Sequence, residues 1–300
     1  MLYYNLSTYF RNKYGKRLKK ICIDGGFTCP NRDGRCGTGG CIFCGERGSG
    51  EHIDRSGGID EQVKRVLSQA GEDELFVAYF QNFTNTYAAP EVLRERYSAA
   101  LIDERIRVLD IGTRPDCIDE EICKVISEFM EKREVWVELG LQTASDKTAA
   151  IINRGYKREC FERAMELLEK YRIPAVVHLM VGLPEEGDRE IAETCEYLSR
   201  FKLFGVKIHS VYVMAGTRLA EMLDSGDYKV QTEEDFIRRA AYIITHIPES
   251  TVIHRLTGDC PEGALLAPSW GKDKHKLIDG ISRRLAENGA RQGSEFLAEP

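Results

Sequence analysis

The chain has 300 residues, of which 42% are hydrophobic and 30% are charged. This balance is typical of a globular protein with a sizeable core and excludes a disordered chain. The formal net charge of -6 excludes a surface that is basic all over. No run approaches the roughly 18 apolar residues of a membrane span, and the N-terminus lacks the apolar segment of a signal peptide. We therefore expect a cytoplasmic protein, in which ten cysteines indicate metal binding and free thiols more than disulfides.

Residues 1–20 concentrate positive charge and contain no carboxylate side chain. Such an asymmetry is typical of an electrostatic footprint for phosphates, whose affinity falls as salt rises. A solvated face with long, snorkelling side chains explains the same composition equally well. The basic residues are Arg11, Lys13, Lys16, Arg17, Lys19 and Lys20.

Strand and helix patterns alternate along most of the chain. Continuous apolar runs such as L-F-V-A-Y-F predict strands buried on both faces, and the spacing of Ile59, Val63 and Val66 predicts a helix. The predicted strands cover residues 18–24, 75–80, 107–112, 135–141, 175–181 and 205–213. The predicted helices cover residues 59–69, 90–102, 119–132, 158–171 and 188–201.

Six parallel strands with intervening helices predict an α/β fold, a partial (β/α)6 TIM-like barrel. Right-handed crossovers place the carboxyl end of every strand at the same rim, so we expect the site there. Residues 1–230 are assigned to this core, which includes the basic N-terminal segment and a cysteine-rich loop. Residues 231–300 are assigned to a C-terminal extension that closes the barrel.

The cysteine-rich loop follows the first predicted strand directly. Cys29, Cys36, Cys41 and Cys44 lie among Gly, Pro, Asn and Asp residues, where the backbone bends freely and can direct several thiolates to one place. Four thiolates suit tetrahedral zinc. Three thiolates suit an iron-sulfur cluster that keeps one iron open. The spacing alone leaves both chemistries open.

The sequence C-P-N-R-D-G, followed by G-T-G-G-C-I-F-C, closely resembles the cluster loop of radical S-adenosylmethionine (SAM) enzymes. It is most similar to stand-alone proteins related to the radical SAM domain of the Elongator catalytic subunit. The resemblance implies a 4Fe-4S cluster held by Cys29, Cys41 and Cys44 in the spacing Cys-x11-Cys-x2-Cys. SAM would bind the open iron and be cleaved to a 5'-deoxyadenosyl radical. Cys36, separated from Cys41 by four residues, remains an alternative third ligand.

The same resemblance implies residues that bind SAM. Phe43 would lie against the adenine, although a packing role in the loop is the plainer alternative. After the second strand, an amide-rich segment occupies the place where many radical SAM proteins have a G-G-E element that holds the methionine amino group. Amide side chains supply the needed donors and acceptors, and they equally shape turns. The candidates in this segment are Gln81, Asn82 and Asn85.

Later strand ends supply the other candidate SAM contacts. The fourth strand ends in E-L-G-L-Q-T, and Glu138 and Gln142 are assigned to the cofactor site. Gln142 and Arg154 match residues that contact the ribose and carboxylate of SAM in the coproporphyrinogen-dehydrogenase branch, and a guanidinium suits a carboxylate. Gly182 would let the backbone approach the adenine. His178 occupies a ribose-binding position of that branch, and a core histidine is an equal alternative.

The resemblance also implies the substrate. Kinship to the Elongator radical domain predicts a tRNA enzyme that modifies or trims a wobble-uridine side chain, with an external electron donor such as flavodoxin or ferredoxin. Lys207, His209 and Tyr212 of the sixth strand are expected to face the substrate, and no acid or base is assigned. Two alternatives remain: a radical SAM oxidoreductase acting on a small metabolite or porphyrin-like molecule, and a non-catalytic zinc-loop RNA-binding protein.

Overall fold

The computed structural model describes residues 1–48, 50, 53–258 and 263–297. Its centre is a seven-stranded parallel sheet, and a separate antiparallel pair, β7 with β9, lies outside it. The strands are β1 (Leu18–Ile23), β2 (Leu75–Phe80), β3 (Ile106–Thr113), β4 (Glu134–Gln142), β5 (Ala175–Val181), β6 (Gly205–Ser210), β7 (Val213–Met214), β8 (Val252–Arg255) and β9 (Leu265–Ala267).

The sheet order is β1-β2-β3-β4-β5-β6-β8, so neighbours in space are mostly neighbours in sequence. The structure has the predicted α/β class, an incomplete barrel. It adds one strand to the six that were predicted, because β8 pairs with β6 in parallel. That strand comes from residues assigned to the C-terminal extension, and the domain boundary at residue 230 remains a prediction.

Helices follow most strands and cover the outside of the sheet. They are α1 (Leu6–Tyr14), α2 (Ile59–Leu67), α3 (Pro90–Ala100), α4 (Glu120–Met130), α5 (Asp146–Ile151), α6 (Arg158–Lys170), α7 (Asp188–Ser199), α8 (Arg218–Ser225), α9 (Glu233–Thr245) and α10 (Lys274–Glu287). Within the described residues, no helix is both long and apolar enough to span a membrane.

The interior of the barrel is built in two layers. Successive side chains of a strand point to opposite faces, so residues two apart share the interior. The layer near the amino ends of the strands is apolar and contains Val108, Trp136 and Val176, which are buried together. The second layer, two residues further along each strand, contains Asp110, Glu138 and His178. The polar layer therefore lies towards the carboxyl rim.

Helix α1 covers the amino end of the barrel. The ring of Phe10 stacks on Trp136 with centroids 5.8 Å apart, and Tyr9 and Tyr14 both donate hydrogen bonds to Glu134. Lys13 pairs with Glu134 as well, at 2.8 Å. Much of the basic charge predicted for residues 1–20 thus lies at the end of the barrel opposite the carboxyl rim.

Candidate active site

One cavity of about 300 Å³ opens at the carboxyl ends of the strands. It is bounded on one side by the cysteine-rich loop and on the other by residues of β4, β5 and β6. Nine of the twelve residues predicted for the site lie in its wall, as the placement at the carboxyl rim requires. They are Cys29, Cys41, Cys44, Phe43, Gln81, Glu138, Gln142, Arg154 and His178.

Backbone hydrogen bonds fix the cysteine-rich loop to the barrel. The amide of Ile42 donates to the carbonyl of Ile152 at 3.1 Å, and the carbonyl of Ile42 accepts from the amide of Leu219 at 2.9 Å. The guanidinium of Arg32 donates to the carbonyls of Cys44, Gly45 and Glu46. These bonds hold the segment that carries Cys41 and Cys44 in one conformation.

Two asparagines join the loop to the segment after α5. The Nδ2 of Asn31 donates to the carbonyl of Asn153 at 2.6 Å, and the Nδ2 of Asn153 donates to the carbonyl of Gly40 at 2.7 Å. Asn153 has a φ of +52°, a left-handed conformation that Asn tolerates better than most residues. The side chains of Asn31 and Asn153 therefore hold the loop and the segment after α5 together by hydrogen bonds.

The thiols of the loop are chemically suited to bind metal. A hydrogen bond from Cys44, acting against burial and together with the guanidinium groups of Arg114 and Arg154, lowers the pKa of Cys41 to about 7. The same hydrogen bond and burial raise the pKa of Cys44 well above 9. Metal binding would displace the protons of both thiols.

Three cysteines of the loop provide a donor set for a cluster. Cys29, Cys41 and Cys44 lie in the wall of the cavity, and three thiolates suit a cluster that keeps one iron open. Every cysteine that the structure describes is a free thiol. The donor set therefore matches a 4Fe-4S cluster.

Cys36, the alternative third ligand, lies outside this wall. Its side chain is exposed, whereas Cys29 is half-buried. The Sγ of Cys36 lies 3.5 Å from Nη2 of Arg114, and Arg114 also forms a bidentate ion pair with Asp116. The structure therefore places Cys29, and not Cys36, at the cavity together with Cys41 and Cys44.

Two arginines enclose the ring of Tyr156 beside the loop. The guanidinium carbons of Arg114 and Arg154 lie 4.8 and 4.5 Å from the ring centroid. Arg154 is 1% exposed and donates to the carbonyls of Leu141 and Thr143 at 2.6 and 2.7 Å. Arg154 thus clamps the end of β4, and its predicted bond to the SAM carboxylate has to compete with these backbone bonds.

The end of β4 is irregular at a predicted SAM contact. Gln142 has a φ of +62°, and the pairing register of β4 with β5 shifts between Gly140 and Gln142. Positive φ in a residue other than glycine costs energy and often marks a functional site. The bulge turns Gln142 into the cavity wall, where its Oε1 lies 3.3 Å from the hydroxyl of Tyr156.

Three predicted SAM contacts lie outside the cavity wall. Asn85 donates through Nδ2 to the carbonyls of Phe80 and Gly112, so it joins the ends of β2 and β3. Asn82 is 1% exposed, and both polar atoms of its side chain lack a hydrogen-bond partner in the described structure. Gly182 has a φ of +97°. Its carbonyl accepts a hydrogen bond from the hydroxyl of Tyr228, and Gln231 fills the space that a side chain at this position would need. For Asn85 and Gly182 the structure gives a structural reason for the residue.

The opposite wall rests on a network of buried charges. Lys207 pairs with Glu138, and Lys20 pairs with Asp110 at 2.8 Å. Burial lowers the pKa of Lys207 to about 8; burial, together with the charge of Glu138, raises the pKa of Asp110 to about 7. Burial also acts on Glu138, but the ammonium groups of Lys207 and Lys20 hold its pKa well below 4.5. Glu138 is therefore an anion that binds internal cations.

The cavity wall also contains residues that the sequence did not single out. Tyr156 comes two positions after Arg154, which the sequence assigns to the cofactor site, and that proximity was the available signal. Tyr79 accepts a hydrogen bond from Lys207 at 3.1 Å, and the strand alternation with Val77 would have placed it inside the barrel. Phe83 has a φ of +60° and lies 5.6 Å from the guanidinium carbon of Arg32, for which the sequence offers no signal.

The site and fold define a radical SAM protein. Residues 32–198 match the model of the radical SAM superfamily, and residues 204–287 match that of the radical SAM C-terminal domain. Because the first match alone covers more than half of the chain, the protein belongs to the radical SAM superfamily. It is accordingly an enzyme whose cofactors are a 4Fe-4S cluster and SAM. This excludes the predicted alternative of a non-catalytic zinc-loop protein.

Relatives support the same placement. The protein YtqA of Bacillus subtilis (strain 168) is 33% identical over 298 residues, which cover 98% of this chain and 92% of YtqA. The tRNA uridine(34) acetyltransferase of Methanocaldococcus jannaschii is 32% identical over 192 residues, or 63% of this chain and 34% of that protein. The archaeal Elp3 structure from Methanocaldococcus infernus has a TM-score of 0.69 at 18% identity, covering 92% of this chain and 64% of that chain. The predicted kinship and fold class are thereby confirmed.

Proposed function

We propose that the protein acts on tRNA, remodelling or trimming a side chain already present on the wobble uridine. The observation that carries the proposal is the similarity to the tRNA uridine(34) acetyltransferase. The name of that relative specifies tRNA as its substrate and uridine 34 as the nucleoside that it modifies. The aligned part covers 34% of that protein, whereas this chain aligns over 98% of its own length with YtqA and covers 92% of YtqA. A reaction that alters an existing substituent needs no acetyltransferase part.

In this proposal, the thiolates of Cys29, Cys41 and Cys44 would hold the cluster. With SAM bound, the cluster would supply radical chemistry for hydrogen abstraction from the substrate, with electrons from an external donor such as flavodoxin or ferredoxin. Phe43 and Gln142 lie in the wall on the two sides of the cavity, where they would hold the adenosine. The buried stack of Arg114, Tyr156 and Arg154 keeps the loop and the end of β4 together.

The protein contributes positioning and exclusion of water. On one side of the cavity, backbone hydrogen bonds hold the cysteine-rich loop in place. On the other side, the ion pair of Lys207 with Glu138 holds the opposite wall. A reactive radical in a pre-shaped cavity that the bound substrate fills meets that substrate before it meets solvent. A rigid wall is what such a reaction requires of the chain.

A radical SAM reaction on a small metabolite is the second candidate. It is favoured by the charge distribution, because Lys13 and Lys19 of the basic N-terminal segment pair with Glu134 and Glu74 at the end of the barrel opposite the cavity. A nucleic acid that enters the cavity would not use that segment. The overall charge of -6 also lowers the general affinity for RNA.

The deciding experiment compares tRNA nucleosides from cells with and without the gene. We expect one modified uridine to disappear from position 34 in the deletion strain and its precursor to accumulate. Complementation with the wild-type gene should restore the nucleoside, and the Cys41→Ala variant should not. Identical nucleoside profiles in both strains would reject the tRNA proposal and favour the metabolite.

A further inference from the structure

Two histidines lie side by side in the strand-borne wall of the cavity. His178 of β5 and His209 of β6 both line it, and their ring centroids are 5.3 Å apart. Parallel pairing matches Met180 with His209 and His178 with Lys207, so the two rings lie at successive levels of the barrel interior. The cysteines line the opposite side of the same cavity.

The hydrogen bond to Glu138 fixes the state of His178. Nε2 of His178 lies 2.8 Å from Oε2 of Glu138, and Glu138 is an anion held by Lys207. A carboxylate accepts hydrogen bonds only, so Nε2 carries the proton. Burial lowers the pKa of His178 despite this carboxylate. The ring is therefore neutral, and Nδ1 keeps a lone pair that accepts a hydrogen bond.

His209 has a ring nitrogen that lacks a hydrogen-bond partner. Its Nε2 is buried and has no hydrogen-bond partner among the described residues. Burial, together with the neighbouring His178, holds the pKa of His209 well below 6.5, so this ring is also neutral. A buried polar nitrogen without a partner destabilises the protein. A ligand that supplies the missing hydrogen bond removes that destabilisation.

We propose that His178 and His209 form the subsite that recognises the substrate's base, by binding the edge of a uracil ring. The acceptor at Nδ1 of His178 suits the N3–H donor of uracil. The Nε2–H tautomer of His209 suits a neighbouring carbonyl oxygen. This inference rests on the proposed function, which supplies the uridine, and it assigns His178 to the substrate instead of to the ribose of SAM.

The chemistry of the pair selects among ligands. Two neutral imidazoles provide no charge for a phosphate or carboxylate, which are bound by cations. Cytosine has a lone pair at N3 where uracil has a proton, so it would place an acceptor against the acceptor of His178. A site built to hydrogen-bond one edge discriminates strongly against an analogue that leaves its polar groups unpaired. The subsite should therefore read uracil in preference to cytosine.

Ligand-observed NMR titration of the cluster-loaded protein, with SAM present, tests this subsite. The probes are uridine, N3-methyluridine and cytidine. For the wild type we expect uridine to bind at least tenfold more tightly than either analogue. In His209→Phe, which keeps a ring of similar size, uridine should lose at least tenfold in affinity, and the preference for uridine over N3-methyluridine should shrink. His209→Asn, which keeps a polar side chain, should retain part of the preference.

The control is His246→Phe, because His246 stacks on Tyr242 at the end of α9, away from the cavity. This variant should keep the wild-type preference. The proposal is overturned if wild-type protein binds N3-methyluridine as tightly as uridine, if no nucleoside binds, or if His209→Phe keeps the full preference. Should the deletion strain show unchanged tRNA nucleosides while uridine selectivity persists, the tRNA proposal fails and the uracil subsite stands.

Discussion

The two sides of the cavity are held in place by different means. The cysteine side comes from one loop, residues 29–44, and hydrogen bonds such as that between Ile42 and Ile152 fix its backbone. The strand side comes from side chains of separate strands, and the buried charges of Glu138 and Lys207 fix it. Damage to the loop should therefore remove chemistry and spare the fold. Damage to the strand side should lower the stability of the whole barrel.

The largest effect is expected at the loop. Cys41→Ala removes a thiolate whose pKa is already near neutral, so we expect the cluster to be lost and SAM cleavage to fall by at least 100-fold. Iron and sulfide content and 5'-deoxyadenosine formation measure this. Cys160→Ala, on the outer helix α6, is the matched control and should keep both.

The choice of the third ligand can be tested in the same assay. Cys29 lines the cavity and Cys36 is exposed, so Cys29→Ala should lose the cluster and Cys36→Ala should keep it. The reverse pattern would show that Cys36 is the ligand. The melting temperature of all these variants should stay close to that of the wild type, because none of the substituted cysteines belongs to the buried hydrophobic core.

The sequence predicted the loop side better than the strand side. Cys29, Cys41 and Cys44 lie in one short motif, so spacing brought them together without knowledge of the fold. The contact of His178 with Glu138 depends on the pairing of β4 with β5, which matches Gly140 with His178. Sequence patterns place strand boundaries only to within a few residues, so they do not fix which residues of two strands face each other. Asn85 and Gly182, which the sequence assigned to the cofactor, make contacts within the protein, and that assignment stays a prediction.

On the strand side, Lys207→Met should reduce the free energy of unfolding by about 3 kcal/mol. The substitution leaves the carboxylate of Glu138 buried without its nearest cation, and breaking a buried pair costs about 3–5 kcal/mol. The value should lie at the lower end because Lys20 remains 3.7 Å from Glu138. Chemical denaturation measures it. Lys202→Met, at an exposed position before β6, should change stability by less than about 0.5 kcal/mol; an equal loss in both variants would contradict a role for the buried pair.

A smaller effect is expected where Asn31 joins the loop to the segment after α5. Asn31→Ala leaves the carbonyl of Asn153 without its donor at 2.6 Å, which costs about 1–3 kcal/mol when the group is buried. Because the lost bond is local, we expect the reconstituted protein to lose iron several-fold faster on incubation with a chelator. Arg47→Ala, at an exposed position three residues after the loop, should lose iron at the wild-type rate. Equal rates in all three proteins would show that the hydrogen bond of Asn31 does not hold the loop.

The finest test concerns the pH dependence of the strand side. The pKa of Asp110 is raised to about 7 by burial and by Glu138, so between pH 4 and 7 the folded state binds more protons at this residue than the unfolded state. The contribution of Asp110 to stability is therefore present at low pH and is lost as the pH rises to 7, by at most about 1.4 kcal/mol per pH unit. Asp110→Asn cannot titrate, so its stability relative to wild type should rise over this interval.

Asp103→Asn is the matched control for this pH series. Hydrogen bonds from Arg105 lower the pKa of Asp103, so its contribution is lost only as the pH falls below about 4, and its difference from wild type should stay constant between pH 4 and 7. Denaturation curves at several pH values measure both differences. A constant difference for Asp110→Asn as well would mean that Asp110 is ionised throughout. The strand side would then be a fixed set of ion pairs, and burial would not control its charge.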